Sequence, residues 1–138
     1  MDNPFNVMQY ISSESIRQSA PVKPMLYAYA RVNNHNEEIT ELFILSLANC
    51  FWFDGYRTTP VTFGEGGHAT AAHNIPGAME RLVSCVPDRE DFTGWYRWIH
   101  AFLKIHPFQD GNGRIASLLF NWGMNTLDEP IPLPYYKF

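Results

Sequence analysis

Along this chain, stretches with apolar residues at every third or fourth position alternate with stretches that glycine, proline and threonine interrupt. That spacing keeps apolar side chains on one face of an α-helix. In EEITELFILSLANCFWF, Ile39, Leu42, Phe43, Leu45, Leu47 and Phe51 wrap widely, which predicts a helix buried over much of its surface. Thr40 and Glu38 sit too far inside this run to set its cap, so its start is placed near Asn36. In NIPGAMERLVSCV, Ile75, Met79, Leu82, Val83 and Val86 follow the helical period, with Asn74 as N-cap and Pro76 tolerated in the first turn. A third helix fits DREDFTGWYRWIHAFLKI, where Trp95, Ile99, Phe102 and Leu103 share a face. Pro107 ends it, because a residue preceding proline is pushed away from helical angles. A fourth opens near Asn112 and carries Ile115, Leu118, Leu119 and Trp122, with Gly123 and Asn125 as stop signals. The fold class is all-α.

Between the first two of these helices lies DGYRTTPVTFGEGGHATAAH, residues 54–73, glycine-rich with β-branched Thr and Val. It reads as a short hairpin or flap, and a connection this long in a compact domain is usually functional or mobile. The tail LDEPIPLPYYKF has three prolines and cannot be helical; its aromatics are expected to pack back on the body. No internal repeat is visible, and residues 1–138 read as a single domain.

Composition narrows the function. With 46% hydrophobic, 15% aromatic and 17% charged residues, a packed core is expected. A net charge of −4 and a pI near 5.6 argue against nucleic acid as a partner, since phosphate backbones select basic surfaces. Cys50 and Cys85 lie in apolar contexts and are expected to be buried free thiols in a reducing compartment. No apolar run approaches the ~18–20 residues that span a bilayer. The N-terminus lacks the basic and apolar regions of an export signal. The expected setting is cytoplasmic, away from membranes.

The chemistry concentrates in HPFQDGNGR, residues 106–114. Gly111, Asn112 and Gly113 stand at a helix entrance, where backbone N–H groups and the macrodipole favour an anion. Arg114 adds a forked cation suited to phosphate oxygens. Asp110 could cap the helix and also hold a divalent metal such as Mg²⁺ that touches those phosphates. His106, beyond the break at Pro107, can take a proton from a hydroxyl near neutral pH. Together they supply what attack on a nucleotide phosphate requires. No Lys-Ser/Thr follows, so the loop is not a Walker A motif, and the glycine spacing is not that of a dinucleotide fingerprint. His100 and His106 are the nearest zinc candidates, but their spacing fits no zinc pattern.

The same residues resemble the signature of Fic domains (the Fido fold), H-x-F-x-[D/E]-G-N-[G/K]-R-x-x-R. Every specified position matches up to Arg114. The lead-in WIHAFLKIHPF, the GYR element at 55–57 and the helix after the flap agree with it, over roughly residues 36–125. The resemblance implies a compact helical bundle that transfers a nucleoside monophosphate, usually AMP from ATP, to a Ser, Thr or Tyr hydroxyl of a target protein. His106 would be the general base, Phe108 the anchor of the loop and Asp110 the Mg²⁺ ligand. Gly111, Asn112 and Gly113 would form the anion hole, with Arg114 on the β-phosphate. Family members with lysine at the position of Gly113 act as kinases with a reversed nucleotide, so Gly113 resembles the nucleotidyl-transferring majority. Residues 58–73 would be the flap that clamps the target by strand addition.

One position departs from the pattern. Ser117 stands where the family has its second arginine, the γ-phosphate contact, and this puts ATP in doubt as an efficient donor. Restoring arginine there is expected to raise activity with ATP. The family's inhibitory motif, [S/T]-x-x-x-E-[G/N], finds no clean copy: TFGEG places Thr62 one residue too close to Glu65, and TLDEP fails likewise. Restraint is therefore expected from an antitoxin-like partner protein, another mechanism, or low intrinsic activity. Two alternatives follow from Ser117: a degenerate domain that binds nucleotide or a protein partner without turnover, or a transferase using a diphosphate-linked donor.

Overall fold

The computed structural model describes residues 4–17, 20–63 and 66–133. Six α-helices account for most of them: α1 (Pro4–Arg17), α2 (Val22–Asn33), α3 (Glu41–Cys50), α4 (Ile75–Val83), α5 (Phe92–Ile105) and α6 (Asn112–Met124). A single 3-10 turn, Ala72–Asn74, leads into α4. No sheet forms among the described residues, in keeping with the all-α class. None of these helices is long and apolar enough to cross a membrane.

α6 is the hub. It packs against α5, α2 and α3, and nearly every residue from Ile115 to Gly123 is buried. Ile115, Leu118, Leu119 and Phe120 meet Trp95, Ile99 and Phe102 of α5 in one continuous core. Rings reinforce the α5–α6 contact, with Trp95 6.0 Å from Trp122 between centroids, while Trp98 flanks Trp95 on α5 itself at 5.3 Å. Gly123 belongs to this contact and is not the stop signal. A Cβ there would lie 2.2 Å from the Trp95 ring, so only glycine lets the helices approach. Asn125, left-handed at φ 60°, caps the helix as expected.

Other expectations shift by a few residues. α3 starts at Glu41, because the Thr40 hydroxyl accepts from the Phe43 N–H at 3.1 Å and is the cap after all. Asn74 holds the N-cap position of α4 without a side-chain bond, and Pro76 falls in its first turn. Asp91 caps α5 through the Gly94 N–H at 3.0 Å.

The N-terminal third is helical, although its apolar pattern is weak. α1 buries Tyr10, Ile11, Glu14 and Ser15 together, so two of its inward positions are polar. α2 contains Pro24, which sits in the first turn, where an N–H would lack a helical acceptor anyway. The cysteines are free but less buried than expected, Cys50 half-buried and Cys85 exposed. The 58–73 connection holds one isolated antiparallel bridge, Thr62 with His68, instead of a full hairpin. Gly64 and Glu65, the latter the glutamate of TFGEG, lie outside the described residues. In the tail, Ile131 and Leu133 pack on the core, while Tyr135, Tyr136 and Phe138 also lie outside the described residues.

Candidate active site

α5 stops at Ile105 because the next residue leaves the helix. His106 adopts the left-handed conformation (φ 51°, ψ 60°) while its N–H still bonds the Phe102 carbonyl at 3.0 Å. For an L-residue other than glycine that geometry costs about 1–2 kcal/mol, and Pro107 excludes a return to helix. The imidazole is half-buried and meets Phe63 edge-on, with centroids 5.7 Å apart. Burial pushes its pKa below the ordinary 6.5, and the charge of Arg57 adds to that. The Leu103 carbonyl and Asp110 act in the opposite sense without reversing it. At neutral pH the ring is therefore uncharged and able to accept a proton.

The loop after His106 is closed by one side chain. The Asn112 carboxamide donates to the Phe108 carbonyl at 2.9 Å and accepts from the Phe108 N–H at 3.0 Å. Phe108 itself is fully buried, with the Tyr56 ring 5.8 Å away. Asn112 thus spends its side chain on the loop, and its backbone N–H is the group it presents at the helix entrance. Gly111 takes φ 86°, and a Cβ on it would stand 3.2 Å from the Phe51 ring. The positive φ favours glycine there, and the Phe51 ring leaves little room for a side chain.

α6 begins at Asn112, so the N–H groups of Asn112, Gly113 and Arg114 have no carbonyl one turn earlier in the helix. Arg114 is only 3% exposed, its guanidinium 4.4 Å over the Phe51 ring and 3.4 Å from an Asp110 oxygen. Its Nε is buried without a hydrogen-bond partner. An unmet buried donor of a charged group is expensive, and a phosphate oxygen is the kind of acceptor it fits. Asp110 is mostly exposed and also accepts from the Gly111 N–H at 2.7 Å. Among the described residues no three His, Cys, Asp or Glu side chains gather as a metal group. That donor set does not suit zinc, but it suits Mg²⁺, which takes one or two carboxylates and completes its shell with water and substrate phosphates.

The sequence model of the Fic/DOC family matches residues 25–124, well over half of the chain. The chain belongs to the Fic/DOC family. A Fido domain-containing protein of Dictyostelium discoideum is 47% identical over 36 residues, 26% of this chain and 25% of that protein. The match therefore spans about a quarter of the relative's length. Transferase chemistry is typical of that family.

Within the Fic framework, position 117 has a different surrounding from the one a γ-phosphate contact needs. Ser117 is fully buried, with its hydroxyl 2.6 Å from the Tyr10 hydroxyl and 3.2 Å from a Glu14 carboxylate oxygen. Both partners stand on α1, four residues apart, so one helix face meets one serine. The segment Tyr10-x-x-x-Glu14-Ser15 escapes the inhibitory pattern because tyrosine replaces its Ser or Thr and serine its Gly or Asn. A glutamate does reach this position, although the residue types around it do not match the pattern. Arginine at 117 would have to displace Tyr10 and would meet Glu14.

Sequence reasoning also missed Phe51, which lies under both Gly111 and Arg114, and Arg57, which bonds the turn at His106. Phe51 was legible only as an apolar helix residue. Arg57 carried one signal, a lone cation in the GYR element, but no role followed from it.

Proposed function

We propose that this Fic-family chain is a protein adenylyltransferase, moving AMP from ATP to a Ser, Thr or Tyr hydroxyl of a target protein. The observation that carries the reading is the buried, unpartnered Nε of Arg114 at the entrance of α6, in the same loop as an imidazole held neutral. The phosphates would lie against the N–H groups of Asn112, Gly113 and Arg114, with the Arg114 guanidinium on the β-phosphate. His106 would take the proton of the target hydroxyl. That oxygen would bond the α-phosphorus, the bond to the β-phosphate would break, and pyrophosphate would leave with the electron pair. Mg²⁺ held by Asp110 would neutralise charge on the phosphates. The target would dock on the 58–73 connection, in a cytoplasmic setting that the two free cysteines accord with. An antitoxin-like inhibitor protein remains part of the proposal as a partner.

The test is to supply ATP labelled on the α- or the γ-phosphate, with Mg²⁺ and a cell lysate. Label from the α-phosphate alone supports nucleotidyl transfer, whereas label from the γ-phosphate alone means phosphoryl transfer and overturns it.

A second reading is favoured by Ser117 and its bonds to Tyr10 and Glu14. With no cation at that position, a donor without a γ-phosphate, such as a diphosphate-linked metabolite, would lose nothing. A domain that binds nucleotide without turnover would be equally unaffected. Labelling with a diphosphate-linked donor distinguishes the two.

A further inference from the structure

Arg57 is 4% exposed, and no carboxylate among the described residues pairs with it. Its bonds all go to main-chain carbonyls. Nε donates to His106 at 2.6 Å, one terminal nitrogen to Ile105 at 3.0 Å and to Thr70, and the other to Thr59 at 2.7 Å. Its own N–H donates to the Pro107 carbonyl at 2.9 Å. The carbonyls of Ile105 and His106 belong to the end of α5, where helical donors run out. Those of Thr59 and Thr70 belong to the two stems of the 58–73 connection.

One fork therefore joins three pieces of backbone that the sequence separates by up to about fifty residues. Besides it, a long Thr70 N–H bond reaches the Lys104 carbonyl at 3.4 Å, and Phe63 meets the Lys104 ammonium at 5.5 Å and the His106 ring at 5.7 Å, contacts that set no hydrogen-bond direction. Charge-assisted bonds from a planar guanidinium fix direction as well as distance, which a lysine ammonium does not. A hydroxyl must be presented within a fraction of an ångström for attack, so the relation between stems and imidazole matters to rate.

We infer that Arg57 is a positioning residue: it fixes the turn carrying His106 to both stems of the 58–73 connection, so that a target segment docked along those stems meets the imidazole in a set register. This rests on the reading of His106 as the base and of the connection as the target's docking place.

The first measurement needs no variant. Nuclear magnetic resonance of the full chain should show an Arg57 Nε–H that exchanges with water far more slowly than in free arginine. Exchange at the free rate overturns the clamp, whatever the protein's activity. The second compares Arg57→Lys and Arg57→Ala with the unaltered chain in labelling kinetics and nucleotide binding. Both variants should lower kcat about 100-fold while the nucleotide Kd stays within about twofold. Lysine keeps the charge but not the fork, so its failure to rescue marks a geometric role. Unchanged kcat in either variant overturns the inference, even when His106→Ala abolishes labelling and the proposed function stands. If the unaltered chain labels nothing, the function fails, and the exchange measurement still decides the clamp.

Discussion

The Ser117 hydroxyl lies 2.6 Å from the Tyr10 hydroxyl, and this contact seals the position of the missing arginine under α1. Ser117→Arg therefore has to enter a fully buried site already filled by Tyr10. Overpacking of that kind costs about 1–3 kcal/mol, and any gain comes from pairing with Glu14. We expect a lower melting temperature and no rise in labelling with ATP from Ser117→Arg alone. Combined with Glu14→Ala, the new guanidinium loses that partner and labelling should rise. Thermal melts and labelling of both variants check this; a rise from the single change contradicts it.

Asn112→Ala removes both bonds that close the loop and strands the Phe108 N–H and carbonyl in the core. Two unmet buried groups should destabilise the fold by about 2–5 kcal/mol. Urea unfolding measures this, and a loss below about 1 kcal/mol would show that the loop holds without the amide.

Gly111→Ala combines φ 86° with a Cβ 3.2 Å from the Phe51 ring. Left-handed strain alone costs about 1–2 kcal/mol. The larger effect should fall on nucleotide affinity, because Phe51 also supports Arg114. Calorimetry should show weaker nucleotide binding in this variant, with Gly77→Ala of α4 as a control, where a Cβ would meet only the end of the Arg81 side chain at 3.5 Å.

Acid should act through His106, whose folded pKa lies below the ordinary 6.5 because the ring is buried and feels the charge of Arg57. Below the unfolded value the unfolded chain binds the proton first, so stability falls as pH drops from 6.5 towards the folded pKa. Above 6.5 this contribution is flat. Activity should likewise persist to lower pH than free histidine would allow. Urea midpoints across this range, compared with His106→Gln, check the first effect. An equal acid loss in the variant would assign it elsewhere.

The sequence made α5 and α6 legible because their apolar faces are regular and Pro107 and Asn125 punctuate them. The candidate-site loop from His106 to Arg114 could be singled out because its residues are local and contiguous. α1 was not, since Glu14 and Ser15 sit at inward positions that a hydrophobic pattern does not mark. Nor was Arg57, whose partners Ile105 and His106 lie about fifty residues away and offer only backbone oxygen. Interactions with main-chain atoms leave no residue type to search for. The Tyr10–Glu14 pair was not legible because a pattern that asks for Ser or Thr four residues before the glutamate passes over a tyrosine.

In the proposed reaction His106 accepts the target's proton during nucleotidyl transfer. The most direct measurement is incorporation of α-phosphate label from ATP into protein, with Mg²⁺ and a cell lysate, for the unaltered chain beside His106→Ala. We expect labelling from the unaltered chain and a fall of about 10²–10⁴-fold in the variant, with nucleotide binding retained. Labelling that survives the loss of the imidazole would contradict it.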